Sequence, residues 1–263
     1  MRLRFLGTGT SFGIPVVGCA CVACTSSDPR DHRTRHAALL TSDDGTRALL
    51  VDTPPELRLQ LVAAGVRRID AVWYTHAHAD HTHGIDDLRA FSARARRSLP
   101  AWADAETAAV LRRTFAYIFD QSYRPPEGTT KPEIALHVFE GDGPVTAAGF
   151  ALRPVPATHG DMTAWGFRVG PLGYITDAKS LAPSALETLR GARVLVLNAL
   201  WFGDPHPTHL NVEEAVALAH SLGAERTYLT HLTHRVRHTD LESRLPDGVQ
   251  AAWDGLVIDI DDT

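Results

Sequence analysis

Apolar residues along this chain recur at two spacings: short alternating or unbroken runs, and stripes three or four residues apart. Arg2 to Leu6 predicts a strand running into the glycine-rich turn Gly7-Thr8-Gly9-Thr10-Ser11. Residues 37–42 and 47–52 predict a hairpin around Asp43-Asp44-Gly45, since Asp-Gly favours tight turns. The second strand ends at Asp52-Thr53, and Pro54-Pro55 opens a helix with Leu57 and Leu61 four apart. Ile69, Ala71, Val72, Trp73 and Tyr74 form another strand-like approach, and Gly84-Ile85-Asp86-Asp87-Leu88 can start a helix.

Between Ala105 and Phe119, the stripe Leu111, Phe115, Ile118, Phe119 predicts a helix with one face in the core. Asp120 to Pro132 carries Pro125-Pro126, Gly128 and Pro132, and reads as irregular: a surface loop, or a lid near the substrate. Strands follow at 136–139, 150–155, 164–169 and 172–176, then a helix over 183–190 and an unbroken apolar strand over 194–200. Asn211 caps the next helix, with Glu214 as its capping-box partner and Gly223 at its end. A strand over 227–230, a helix from about Thr239 and a strand over 256–260 close the chain. Strands and helices thus alternate twice over with no linker-like break. That order predicts one α/β domain over 1–263, and a four-layer αββα sandwich of two sheets with helices outside accommodates it.

Composition narrows the class only a little. The 263 residues are 44% apolar and 22% charged, ordinary for a globular protein and incompatible with a wholly disordered chain. The net charge of −5 argues against a nucleic-acid partner without excluding one. No apolar run reaches the length of a membrane span, and glycine interrupts the N-terminus too early for a secretory core, so a cytoplasmic location and no membrane partner are expected. All three cysteines lie between Cys19 and Cys24, an odd and tightly spaced set that makes a poor disulfide framework.

Chemistry concentrates in the stretch Trp73 to Gly84, W-Y-T-H-A-H-A-D-H-T-H-G. His76, His78, Asp80 and His81 place three imidazoles and a carboxylate within six residues, a density that a core cannot satisfy without a metal or many hydrogen bonds. If the strand continues, His76 and His78 point the same way, while Asp80 and His81 fold back towards a second ion. Three further polar residues end apolar strands or follow them: His159, Asp177 and His231. Strand ends at one sheet edge are where α/β proteins assemble sites. Together these are seven N and O donors, the number two adjacent hydrolytic metals use. The glycine-rich turn is no nucleotide loop: it lacks the lysine of a phosphate-binding loop and a G-x-G-x-x-G. Cys19, Cys21 and Cys24 form C-x-C-x-x-C, enough for a tetrahedral structural zinc if one more ligand arrives, and His234 is the candidate fourth.

H-A-H-A-D-H, with the later T-H-G, T-D-A and T-H, resembles the metallo-β-lactamase-fold hydrolases over essentially the whole chain. The resemblance implies His76, His78 and His159 on one metal, Asp80, His81 and His231 on the other, and Asp177 between them. The N-terminal G-T-G-T-S-F-G-I-P-V-V-G-C-A-C-V-A-C resembles that of the cyclic-phosphate phosphodiesterase branch, typified by the phosphoribosyl 1,2-cyclic phosphate phosphodiesterases of carbon–phosphorus lyase pathways. That branch implies a structural zinc on Cys19, Cys21, Cys24 and His234, in a loop at about 18–25. In P-H-P-T-H-L-N-V-E-E-A, the resemblance makes His209 an acid or hydrogen-bond donor beside the metals.

The expectation is therefore a hydrolase of small, cyclic phosphodiesters, in which a hydroxide held by two metals attacks phosphorus. Asp80 serves as ligand and proton acceptor. Zinc, manganese and iron all suit the His and carboxylate donors, whereas ligand softness favours zinc at the cysteines. A homodimer is expected by resemblance. The rivals are a transfer-RNA 3′-processing nuclease, a thioester, lactone or β-lactam hydrolase, and a non-catalytic metal-binding module. The nuclease lacks support from any long basic Gly/Pro-rich arm. Pro54-Pro55-Glu56 departs from the glycine and aspartate that relatives often carry after D-T. His83 reads as a surface or supporting residue, and His206 stays unassigned.

Overall fold

The computed structural model describes residues 1–120 and 122–261. Its first half contains β1 (Arg2–Gly7), β2 (Ala37–Thr41), β3 (Ala48–Val51), α1 (Leu57–Ala63), β4 (Ala71–Trp73), α2 (Ala79–Thr82), α3 (Arg89–Ala95), β5 (Leu99–Ala103), α4 (Ala105–Thr114), α5 (Ala116–Phe119) and β6 (Ile134–Val138). The second half contains β7 (Val145–Ala147), β8 (Phe150–His159), β9 (Met162–Val169), β10 (Leu172–Tyr174), β11 (Ser180–Leu181) and α6 (Pro183–Leu189). It closes with β12 (Val194–Asn198), α7 (Val212–Leu222), β13 (Arg226–Thr230), α8 (His238–Glu242), β14 (Val249–Ala251) and β15 (Val257–Asp259).

Two mixed sheets result. One runs β15-β1-β2-β3-β4-β5-β6, and the other runs β11-β8-β9-β10-β12-β13-β14 with β7 beside β8. The two-residue period of each strand explains the layers. In β3, Leu49 and Val51 face the other sheet while Ala48 and Leu50 face helices; in β12, Val194 and Val196 face inward while Leu195 and Leu197 face helices. One buried cluster therefore lies between the sheets, centred on Trp73, Phe139, Phe167 and Tyr174. A second joins one sheet to α6, α7 and α8, and a third joins the other sheet to α1 and α4. Helix, sheet, sheet, helix: the four layers expected from the sequence.

Local differences have local causes. The stripe over 105–119 is split at Phe115 (φ −112°, ψ 44°), giving α4 and α5. Strands β5, β7, β11 and β14 fall outside the expected set: β5 contains Pro100, and the other three are only two or three residues long. Pro54 to Glu56 form the turn that leads into α1, where Glu56 pairs with Arg35. This turn presses on Gly84, where a Cβ would lie 2.0 Å from the Pro54 carbonyl oxygen, so only glycine fits. In the 120–132 loop, Lys131 Nζ donates to the Ile118 and Asp120 carbonyls beside α5, and Gln121 lies outside the described residues. Among the described residues, no helix is long and apolar enough to cross a membrane.

Candidate metal centre

Parallel strands β3 and β4 deliver the first half of the site at their C-terminal ends. The strand stops at Trp73, so His76 and His78 lie beyond it rather than within its alternation. Their convergence comes from anchoring. Thr75 donates its N–H to Asp52 Oδ1 and its hydroxyl to Asp52 Oδ2, each at 2.8 Å, and its carbonyl accepts from Trp165 N at 2.8 Å. His76 Nδ1 meets Thr75 Oγ1 at 3.0 Å, which leaves Nε2 free to point into the site. His78 starts α2, whose single turn carries Asp80 and His81.

His76 Nε2 lies 3.0 Å from His78 Nδ1, and His159 Nε2 lies 3.3 Å from the same atom. Three ring nitrogens bound tetrahedrally at about 2.0–2.1 Å would be about 3.3 Å apart, so the spacing fits one ion. Burial holds the His76 imidazole well below its usual pKa, and burial with His159 lowers that of His78. Both are therefore neutral, as metal ligation requires. His159 comes from the end of β8, and its Nδ1 donates to the Thr208 carbonyl at 3.0 Å.

The second sheet supplies Asp177 after β10 and His231 after β13. Both residues adopt left-handed backbone, with φ of 53° and 57°, and so does Asp52 after β3, at 62°. A non-glycine residue held there costs about 1–3 kcal/mol and persists where its surroundings enforce it. Ala178 N donates to buried Asn198 Oδ1 at 2.7 Å and Leu210 N donates to the Ala178 carbonyl at 2.8 Å, which pins the Asp177 turn. Leu232 N donates to the Thr8 carbonyl at 2.9 Å, which pins the turn at His231. The sharp turns aim Asp177 and His231 across the sheet edge.

Asp177 is the hub. Its Oδ2 lies 2.9 Å from His81 Nε2, and its Oδ1 lies 2.9 Å from both His231 Nε2 and His209 Nε2. Asp80 Oδ2 sits 3.4 Å from His81 Nε2 and 3.9 Å from His231 Nε2. Two donor groups emerge, His76–His78–His159 and Asp80–His81–His231, and Asp177 is within reach of donors from both. His81 Nε2 and His231 Nε2 are buried and, although 2.9 Å from Asp177, make no well-aligned hydrogen bond. Native proteins rarely leave such atoms unsatisfied, and a cation at each would satisfy them. Burial disfavours charge here, but Asp177 and the other carboxylates overcome it: His81 is held well above its usual pKa and His231 is raised to about 9. Asp177 and Asp80 are correspondingly held below the usual carboxylate range, against burial, by His231 and His81. Such a cluster demands positive charge, which divalent cations meet.

The second donor set is smaller. Cys19, Cys21 and Cys24 Sγ lie 3.3, 3.4 and 3.5 Å from His234 Nδ1. A tetrahedral zinc with ordinary Zn–S and Zn–N bonds has an S···N edge of about 3.5 Å, so the four atoms fit such an ion. The Cys21 thiol is drawn down to about 6, first by the Cys24 backbone N–H, while burial pushes Cys24 up to about 11.

Every sequence-predicted donor thus falls in one of the two clusters, and His209 stands beside the first. Asp52, Thr208 and His36 are among the supporting residues that escaped the sequence, as are Thr75 and Asn198 described above. Asp52 Oδ2 accepts from His81 Nδ1 at 2.7 Å and fixes which nitrogen faces the site. It carried the signal already used for Asp177, an acid directly after a buried strand. Thr208 holds His159 through its carbonyl and meets His209 Nδ1 through Oγ1 at 2.9 Å; a backbone carbonyl has no sequence signal. His36, fully buried beneath the cluster, meets Thr230 Oγ1 at 3.0 Å and the Tyr174 hydroxyl. His83 is exposed, with its ring on Phe115, as expected. His206 packs on Trp201 and His209, at the rim of the site.

Residues 47–232 match the family described as the Beta-lactamase superfamily domain. The chain is 35% identical over its whole length to an octanoyltransferase of Porphyromonas gingivalis (strain ATCC BAA-308 / W83), of which it covers 52%. It is 34% identical over 101 residues to coenzyme PQQ synthesis protein B of Methylobacterium nodulans, covering 34% of each. The chain therefore spans about half of the first relative and a third of the second. Among solved structures, a diphosphatase from the PhnP family superposes with TM-score 0.89 at 36% identity, covering 99% of this chain and 98% of that one. Zn(2+)-bound PqqB from Methylobacterium extorquens superposes with TM-score 0.76 at 19% identity, covering 99% and 100%, a likeness of fold alone.

Proposed function

The chain belongs to the Beta-lactamase superfamily and is a metallo-β-lactamase-fold hydrolase, and from that premise we propose that it hydrolyses small phosphodiesters, cyclic ones foremost, with two divalent metals. The observation that carries the reading is Asp177 set between two donor triads, with His209 Nε2 2.9 Å from its Oδ1. The likeness to a PhnP-family diphosphatase, at 36% identity over nearly the full chain, supports phosphorus as the centre attacked.

When bound, two divalent ions acidify water and neutralise charge on the phosphoryl oxygens. The chain's own residues do the rest. His76, His78 and His159 would hold one ion and Asp80, His81 and His231 the other, with Asp177 within reach of donors from both sets. Asp80, at the solvent side of His81, takes the proton of the attacking water. His209 delivers a proton to the departing ester oxygen, and the Thr208 hydroxyl at its Nδ1 sets the ring's orientation. A strained five-membered cyclic phosphate lowers what this machinery must supply. The Cys19, Cys21, Cys24 and His234 set holds a structural zinc that ties the N-terminal loop to the segment bearing His231. The whole chain acts as one domain, and a homodimer in the cytoplasm is its expected form.

A second reading, hydrolysis of a thioester or lactone, draws on the likeness to an octanoyltransferase twice this chain's length. A nuclease reading has less support, since the likeness to human tRNase Z, at 18% identity, is one of fold alone. The test is a substrate panel on metal-loaded protein: bis-p-nitrophenyl phosphate, 2′,3′-cyclic nucleotides, pre-tRNA, a lactone, a thioester and nitrocefin. Turnover of the first two is expected. Activity confined to the lactone, thioester or nitrocefin sinks the proposal, and activity confined to pre-tRNA replaces it with the nuclease.

A further inference from the structure

The parallel strands β3, β4 and β5 have two edges, and the metal donors occupy only one. At the opposite edge the chain enters β4 through Arg67-Arg68-Ile69-Asp70 and enters β5 through Arg94-Ala95-Arg96-Arg97-Ser98. The two segments face each other across a cavity of about 310 Å³. Its charged lining is Arg67, Arg68, Arg94 and Arg97 against one acid, Asp70, with Phe91 forming an apolar wall. In a chain of net charge −5 this is a local excess of positive charge around a shallow, open depression.

Three of the arginines, Arg68, Arg94 and Arg97, have fixed partners. Asp70 is only 11% exposed, and Ala48 N donates to its Oδ2 at 2.9 Å, so the sheet fixes this carboxylate. Arg68 Nε sits 2.7 Å from both Asp70 oxygens, and Arg97 Nη2 lies 3.5 Å from Oδ1. Arg94 Nη1 donates to the Arg67 carbonyl at 3.1 Å and its guanidinium lies over Phe91. One carboxylate cannot neutralise four guanidinium groups. All four side chains line the cavity and are exposed to solvent, and a guanidinium is a planar donor suited to phosphate oxygens.

We propose that this cavity is a binding site for a compact polyphosphate anion, separate from the hydrolytic centre. Its volume is at the small end of ligand pockets, about 300–1,000 Å³, which favours a compact anion over a strand of nucleic acid. The neighbouring cavity, which shares Arg67 and Arg68, does not extend the site into a free track: its Arg2 pairs with Asp259, and its Arg4 donates to the Ala64 carbonyl. Arg68 precedes β4 at one end and His76 follows it at the other, and none of the residues lining the cavity is a metal donor. A bound anion there would not touch the metal donors.

The experiment uses metal-loaded, full-length protein and sodium tripolyphosphate. Affinity is read by calorimetry, and metal content is measured before and after so that chelation is not mistaken for binding. Phenylglyoxal labelling with peptide mass spectrometry then locates the protected arginines. The expected result is protection of Arg67, Arg68, Arg94 and Arg97. Arg68→Glu/Arg97→Glu should weaken binding at least about tenfold, with turnover of bis-p-nitrophenyl phosphate unchanged. Arg68→Ala/Arg97→Ala gives the same comparison should charge reversal impair folding. Equal affinity in wild type and the alanine variant overturns the site, as does protection confined to other arginines. Tighter binding of a twelve-nucleotide single strand than of tripolyphosphate overturns the compact-anion assignment.

Discussion

The two donor clusters meet at one short segment, His231 to His234, yet they are built in opposite ways. Cys19, Cys21 and Cys24 lie within a single irregular loop, and only His234 comes from elsewhere. The His/Asp donors come from strand ends and turns in both sheets. Three ring nitrogens facing away from that site are held: His76 by Thr75, His81 by Asp52 and His159 by the Thr208 carbonyl. Packed strands also enforce left-handed backbone at Asp52, Asp177 and His231. The contrast teaches what each metal would do. A loop site has little structure without its ion, so the ion's binding energy goes into order. A sheet-edge site is formed by the fold, which would leave any ions bound there free for chemistry.

The largest effect should come from Asp177, which lies within reach of donors from both triads. Asp177→Ala is expected to reduce turnover to background and to lower the content of the His/Asp metals, while the cysteine-bound metal stays. Metal analysis with a steady-state assay checks this, and near-normal turnover would contradict the hub role. His209→Ala should lower kcat by about 10²–10⁴-fold with metal content intact; equal loss of metal would turn His209 into a ligand. Asp52→Asn should weaken metal retention by about 10–100-fold, read by chelator competition. No change would mean that packing alone orients His81.

The smallest effect lies in the segment after His234. Buried His238 accepts a hydrogen bond from Arg33 Nη2 at 3.1 Å, and burial, with Arg33 beside it, lowers its pKa from 6.5 to about 4. A depressed folded-state value means that the unfolded chain binds the proton first as pH falls. The stability it contributes is therefore complete above about pH 6.5 and is lost progressively towards pH 4. Denaturant midpoints from pH 7 to 4.5 should fall less steeply in His238→Gln than in wild type. Parallel curves would remove His238 from the account.

The same contrast explains what the sequence displayed. His76, His78, Asp80 and His81 were legible because chemistry there is packed into one turn, and the cysteines for the same reason. Asp177 and His231 were legible only as polar residues ending apolar runs. Asp52 ends such a run too, but its hydrogen bond to His81 spans 29 positions and leaves no local trace. His36 sits in an ordinary-looking T-R-H-A-A stretch, and its burial is a property of the packed sheets. The four layers followed from alternation within strands such as β3 and β12, whereas β5, with Pro100 inside it, broke the rule by which strands are read. The basic cavity before β4 and β5 depends on two arginine-rich segments becoming neighbours, which only the pairing of those strands brings about.

The central claim is that one chain carries two independent metal centres, one for order and one for chemistry. Counting metals per chain in wild type and Cys21→Ser, with turnover measured on the same samples, tests it most directly. The account predicts three metals falling to two, a lower melting temperature, and turnover of bis-p-nitrophenyl phosphate per remaining metal pair largely retained. An unchanged metal count, or loss of all metals together, would contradict it.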